Sequence, residues 1–165
     1  MLNKMKFALA GTIAAASLVS GAANAATETA NAEAEILTPV ALSAVTDLDF
    51  GLIAGDADGG TVALPTASDT RSCTGVICVG TATRASFQVT NATQGQVVAL
   101  SVPTTGVALS GPGANMPVSL ALSNASITFN SAALQTVYIG GTLTVGANQA
   151  AGVYSTTFPV TADYQ

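Results

Sequence analysis

Short segments of alternating apolar and polar residues, separated by clusters of turn-forming residues, limit most strongly what this chain can fold into. Each alternation has the two-residue period of a β-strand with one buried face. After residue 25, no stretch combines the 3.6-residue period of an amphipathic helix with capping residues. This spacing of many short strands predicts an all-β fold, an immunoglobulin-like antiparallel β-sandwich.

The alternating segments also predict where individual strands lie. We expect strands at 61–64, 85–90, 96–102, 118–122, 136–139 and 142–145. Glycine, proline, asparagine and aspartate between them predict turns at 55–60, 91–95, 110–113 and 140–141. No internal repeat and no linker divides this region.

The first residues have the pattern of a secretory signal peptide. Lys4 and Lys6 precede an apolar run over 7–20, and Ala23-Asn-Ala25 supplies the small residues of a cleavage site. The run is shorter than the roughly 20 residues that cross a bilayer. We therefore expect a signal peptide over 1–25, and an exported, periplasmic or surface protein that does not span the membrane.

The charge of the exported part argues against several partners. Without Lys4 and Lys6, only Arg71 and Arg84 remain against nine acidic residues, a formal net charge of −7, and there is no histidine. Nucleic acids and anionic lipids are bound by clustered cations. We expect neither as a partner, and no cofactor. The usual general base, histidine, and the Schiff-base amine of lysine are missing, which argues against an enzyme.

Few residues remain as candidates for chemistry. Cys73 and Cys78 are the only cysteines, and export makes a disulfide between them the default expectation. Asp47 and Asp49 would lie on one face of a strand about 7 Å apart, a spacing compatible with a carboxylate hydrolase but more typical of a wet strand face. The 55–60 segment offers two weak candidate metal ligands, Asp56 and Asp58, without the further oxygen donors of a calcium loop.

The last fourteen residues alternate to the penultimate position. Ser155, Thr157, Thr161, Asp163 and Gln165 fall on the polar side. The following residues mark the proposed assembly strand, from its first glycine through its apolar side: Gly152, Tyr154, Phe158, Val160, Ala162 and Tyr164. Such an end strand resembles that of chaperone–usher pilus subunits, which also carry a glycine fourteen residues from the end and a penultimate tyrosine. The resemblance implies a pilin-like sandwich whose end strand is gripped by a periplasmic chaperone.

A second resemblance covers most of the chain. The segments 36–39, 47–51 and especially 140–154, followed by 158–161 and Tyr164, are similar to the secreted bacterial family called domain of unknown function 4402. Its members look like pilin-type or adhesin-type surface domains. The local cysteine pair departs from the long-range disulfide of many pilins.

Together these observations predict an extended N-terminal arm over 26–36 and a sandwich domain over 37–165. The leading hypothesis is a structural subunit of a fimbria-like surface fibre, built by β-strand donation between copies of itself or related subunits, with a chaperone and an outer-membrane usher as further partners. The alternative is a self-complete adhesin or binding module. The residues expected to face a partner's groove from the arm are Ala30, Ala32, Ala34 and Ile36.

Overall fold

The computed structural model describes residues 25–131 and 134–165, so the predicted signal peptide lies outside the described residues except for Ala25. The chain divides into two units. The first, Met1–Ala34, is described from residue 25 onward and there contains no helix or strand. The second, Glu35–Gln165, contains every strand found in the described residues. The described residues contain no helix, and so none long and apolar enough to cross a bilayer.

Twelve strands follow one another along the described part of the second unit. They are β1 (Ala41–Thr46), β2 (Leu52–Ala54), β3 (Gly60–Leu64), β4 (Ser72–Thr74), β5 (Ile77–Val79), β6 (Ala85–Thr90), β7 (Val97–Ser101), β8 (Val107–Leu109), β9 (Met116–Leu122), β10 (Ser126–Thr128), β11 (Gln135–Val145) and β12 (Thr161–Tyr164). Every pairing between them is antiparallel. The predicted all-β sandwich is therefore confirmed.

The strands form one large sheet and two small ones. The large sheet has seven strands, in the order β1-β6-β11-β3-β4, with β9 also paired to β11 and β8 to β9. The second sheet has the order β10-β7-β12, and the third is the two-stranded ribbon β2-β5. Strand β11 is central to the large sheet because it pairs with three other strands. Its first half pairs with β6, its second half with β3 and its middle with β9.

The core lies against one face of the seven-stranded sheet. Along β11 the odd-numbered residues from Val137 to Val145 are buried, as the strand period requires, and most of the even-numbered ones are not. Val137 joins a cluster under the β10-β7-β12 sheet, with Val98 and Phe129. Leu143 joins a second cluster beneath the ribbon and the segment before β12. One alternating strand therefore contributes to both clusters.

The predicted turn at Gly140 and Gly141 is wrong, because both residues lie inside β11. Their lack of a side chain has a different reason. A Cβ atom on Gly140 would lie 2.3 Å from the carbonyl oxygen of Leu64, and one on Gly141 would lie 2.8 Å from that of Ser119. Glycine is required here because neighbouring strands approach β11 closely where it changes partners.

Candidate assembly surface

The segment from Tyr154 to Gln165 shows the predicted division of its side chains. The five aromatic and aliphatic residues of the apolar side are half-buried and the residues between them are exposed. The hydrogen-bonded strand is shorter than the pattern, however, since only Thr161–Tyr164 pairs with β7. Before Pro159 the segment is held by an isolated bridge between Ser155 and Ser110. The alternation therefore correctly predicts which side chains are partly buried along the whole segment. It coincides with a hydrogen-bonded strand only in the last part of the segment.

Strand β12 is an edge strand. Its one partner within the described residues is β7, and the backbone N–H of Gln165 donates to the carbonyl oxygen of Val97 at 3.0 Å. In an antiparallel ladder, residues alternate between pointing their backbone groups toward and away from the partner. Asp163 therefore points its N–H and C=O toward β7, whereas Ala162 and Tyr164 point theirs away. These outward groups form an open edge where another strand can add.

The edge strand β1 lies near β12. The two strands approach each other without pairing, although they belong to different sheets. Val40, just before β1, and Leu42, within it, pack on the same apolar cluster as Ala162 and Tyr164. The rim of the sandwich is thus bordered by two unpaired edges above a shared apolar cluster.

Tyr164 also fixes the chain just before β1. Its hydroxyl donates to the carbonyl oxygen of Thr38 at 2.6 Å and accepts a hydrogen bond from the backbone N–H of Thr93 at 2.8 Å. The backbone N–H of Thr38 donates in turn to the side-chain oxygen of Thr93 at 3.0 Å. We call these three residues the Tyr164 junction. Both backbone groups of Thr38 are therefore held, and the junction sets where the N-terminal segment leaves the fold.

Tyr154 makes a similar junction at another place. Its hydroxyl accepts from the backbone N–H of Gly113 at 2.9 Å and donates to the carbonyl oxygen of Ala150 at 2.8 Å. The ring lies against Gly111, where an added Cβ would come within 2.6 Å of a ring carbon. Two tyrosines of the apolar side thus each join an N–H to a carbonyl, in different parts of the fold.

An uncharged cleft of about 130 Å³ lies beside Tyr154. It is lined mainly by aliphatic and aromatic side chains, together with two hydroxyl-bearing residues: Leu48, Phe50, Val107, Leu109, Val118, Leu120, Tyr154, Ser155, Thr156 and Phe158. No charged side chain lines it. The cleft therefore offers aliphatic and aromatic surface together with polar atoms, and no charge.

The candidate donor residues of the arm are all exposed. Ala30, Ala32 and Ala34 lie in the first unit, in a segment with no helix or strand. Ile36 belongs to the second unit and is 96% exposed. Whether these residues enter a partner's groove stays a prediction.

The cysteines form the expected disulfide, Cys73–Cys78. Cys73 is on β4 and Cys78 on β5, so the bond joins the seven-stranded sheet to the two-stranded ribbon. Arg71 reinforces the same place, because its guanidinium donates to the carbonyl oxygens of Phe50 and Val79, the latter at 2.6 Å. Nothing in the sequence pattern predicted this role for Arg71, although it is one of two arginines left after the predicted leader.

The aspartates proposed for chemistry take part in turns or face solvent. Asp47 and Asp49 are exposed, and the carboxylate of Asp49 accepts a hydrogen bond from the N–H of Gly51 at 2.7 Å. Asp56 and Asp58 lie in the loop between β2 and β3, both exposed. Within residues 25–131 and 134–165, no three histidine, cysteine, aspartate or glutamate side chains come together as metal ligands.

The second arginine is also bound internally. Arg84 donates from its guanidinium to the carbonyl oxygen of Thr66 at 2.5 Å, lies 3.7 Å from a carboxylate oxygen of Asp69 and stacks over the ring of Tyr138 at 3.8 Å. Both arginines of the described chain are therefore engaged with the fold itself, and the surface charge is dominated by the acids.

Comparison with known proteins gives one family. The family model described as "Domain of unknown function (DUF4402)" matches residues 40–164, from just before β1 through β12. No curated protein and no solved structure matches the chain.

Proposed function

The chain belongs to the DUF4402 family of domains of unknown function, and for this member we propose the role of a secreted structural subunit that assembles into a bacterial surface fibre by β-strand donation. The observation that carries the proposal is the open edge of β12 beside the unpaired edge of β1, above a shared apolar cluster. The exposed, alternating N-terminal segment supplies a strand of matching character.

The chemistry of the interaction is that of strand addition to a sheet edge. The outward backbone groups of Ala162 and Tyr164 hydrogen-bond to the incoming strand, and alternate side chains of that strand fill the space above the cluster. The arm over 26–36 together with residue 37, fully extended, reaches about 40 Å from the Tyr164 junction. That is longer than a small domain is wide, so the arm of one copy reaches the edge of the next.

Export and assembly partners are part of the same proposal. The signal peptide directs the chain to the periplasm, where an unpaired edge needs protection against unproductive pairing. A periplasmic chaperone that covers this edge and an outer-membrane usher that hands the subunit on fill that need. The product then lies at the cell surface, with other copies or related subunits as neighbours.

A charge placed on either side of the arm tests the proposal. Ala32→Asp puts a carboxylate on the side that enters the groove, whereas Asn31→Asp adds the same charge with nearly unchanged shape on the opposite side. We expect Ala32→Asp to abolish polymers, seen as ladders on unboiled gels and as fibres in electron micrographs, and Asn31→Asp to retain them. Equal polymerisation of both variants, or a wild-type chain that stays monomeric at high concentration, contradicts strand donation.

The uncharged cleft beside Tyr154 supports a second candidate, a self-complete binding module. A cleft of about 130 Å³ without charged lining takes a small uncharged group of a glycan or peptide. In that case the protein is monomeric, binds its ligand with the arm removed, and loses binding when Leu109→Trp fills the cleft.

A further inference from the structure

Strand β1 narrows the rim of the sandwich at the place where a donor strand would be added. Part of β1 lies within 8 Å of β12, measured between Cα atoms, although the two strands do not pair. Two strands that flank a third lie about 9.5 Å apart, and two facing sheets lie about 10 Å apart. Between β1 and β12 there is therefore no room for the backbone or the inward side chains of a further strand.

The Tyr164 junction holds this rim closed. Residues of both strands share the apolar cluster beneath the rim. The hydroxyl of Tyr164 and the side chain of Thr93 bind the two backbone groups of Thr38, so the chain that enters β1 is tied to the end of β12. The residue whose backbone offers the acceptor edge thus also keeps β1 beside that edge.

The rest of β1 is held weakly. Within the described residues β1 pairs with β6 alone, and its side chains from Ser43 to Thr46 are exposed. The register of this pairing shifts between Ala44 and Thr46, an irregularity of the kind at which strands bend. Movement of the start of β1 away from β12 therefore breaks few contacts besides the junction and the apolar cluster.

From this geometry we propose that the free subunit is autoinhibited: the Tyr164 junction is a latch, and a donor strand adds to β12 only after the latch opens and the rim widens. This inference rests on the proposed strand donation and concerns its regulation. An uncovered sheet edge pairs with whatever strand it meets. The latch keeps β1 over the edge of the isolated subunit and so limits unproductive pairing before assembly.

The latch determines how fast a donor strand binds, because only molecules with an open latch accept one. Tyr164→Phe removes both hydrogen bonds of the hydroxyl and leaves the ring and the backbone edge in place. With two neutral hydrogen bonds lost, the open fraction rises roughly 5- to 30-fold. Association of a donor strand should accelerate by the same factor. Loss of a residue that merely supports the acceptor edge would not accelerate it.

The test measures how fast a fluorescent peptide of residues 26–37 associates with the full exported chain carrying Ala32→Asp, a change that stops the arms of the chain itself from competing. Fluorescence anisotropy compares that chain alone, with Tyr164→Phe and with Tyr154→Phe. Tyr154→Phe is the matched control, because its hydroxyl also joins one N–H to one carbonyl, at another place in the fold. We expect association to be roughly 5–30 times faster with Tyr164→Phe and unchanged with Tyr154→Phe.

A second variant, Thr93→Val, removes the acceptor of the Thr38 N–H while keeping the shape of the side chain, and should also accelerate association. Equal rates for all chains, slower association with Tyr164→Phe, or equal acceleration by Tyr154→Phe overturns the latch and leaves strand donation standing. Failure of strand donation looks different: the peptide then binds none of the chains, or a peptide carrying Ala32→Asp binds as well as the unchanged one. Either of these results overturns the latch as well.

Discussion

Replacement of Tyr164 by phenylalanine isolates the Tyr164 junction, because it removes one oxygen and keeps the ring that packs on the apolar cluster. The lost hydroxyl donates to the carbonyl oxygen of Thr38 and accepts from the N–H of Thr93. When the Tyr164 hydroxyl is removed, the backbone of Thr38 keeps its other hydrogen bond, from its N–H to the side chain of Thr93.

The magnitude follows from the two hydrogen bonds. Each neutral hydrogen bond contributes about 0.5–1.5 kcal/mol net, and water replaces part of this at a half-exposed position. We expect Tyr164→Phe to lower the free energy of unfolding by about 1–2 kcal/mol, or roughly 3–6 °C in melting temperature for a domain of this size. Local opening at the junction becomes roughly 5–30 times more frequent.

Tyr154→Phe is the matched control, since it also removes a hydroxyl that joins one N–H to one carbonyl, at Gly113 and Ala150. Thermal unfolding should show similar losses for both variants. Amide hydrogen exchange should separate them: only Tyr164→Phe should speed exchange at Thr38 and Thr93. The reasoning is refuted if these amides exchange at the wild-type rate in Tyr164→Phe, or if Tyr154→Phe loosens them equally.

Three further predictions concern other parts of the fold. Alkylation of the exported, denatured, unreduced protein should label neither Cys73 nor Cys78, and replacement of both by serine should cost about 2 kcal/mol in urea unfolding while the protein stays folded; free thiols in most molecules would contradict the disulfide. Gly140→Ala should lower the free energy of unfolding by roughly 1–3 kcal/mol, measured by urea unfolding. Gly146→Ala should lower it less, because the new Cβ meets only the end of a flexible side chain; equal losses for the two variants would count against the close approach of strands at Gly140. Deletion of 163–165 should leave little folded protein in the periplasm, because it shortens β12; a normal yield would argue that this strand is dispensable.

Four of the six strands predicted from alternation match single strands of the fold to within two residues at each end: β3, β6, β7 and β9. Each of these strands has one more buried and one more exposed side, and this contrast appears in the local sequence as a two-residue period. The other two, 136–139 and 142–145, are the halves of β11. The glycines between them look like a turn because the sequence cannot show that Leu64 and Ser119, distant along the chain, crowd this point of the strand.

The strands that alternation does not reveal are short or lie on edges. Strands β2, β4, β5, β8 and β10 have three residues each, too few to display a period. Strand β1 is longer, but four of its six residues are exposed and no apolar alternation marks it. Their positions depend on partners far along the chain and, for the ribbon, on the disulfide and Arg71. The sequence alone therefore does not show that side chains of β2 and β5 share one exposed aliphatic face.

For the candidate site too, the sequence predicts local patterns but not contacts between residues far apart in the chain. The sequence predicted which side chains between Tyr154 and Tyr164 face inward, because that is a local pattern. It gave no sign of Thr38 and Thr93, which lie 126 and 71 residues from Tyr164 and carry no distinguishing motif. Under the proposed strand donation, these two threonines set where the donated arm ends. Both backbone groups of Thr38 are occupied, so they are not free to pair with a partner, and only residues before Thr38 are. Tyr164 would therefore serve the proposed strand donation in two ways: its backbone would offer the edge that receives a neighbour's strand, and its hydroxyl would fix the point at which the chain's own arm begins to leave the fold.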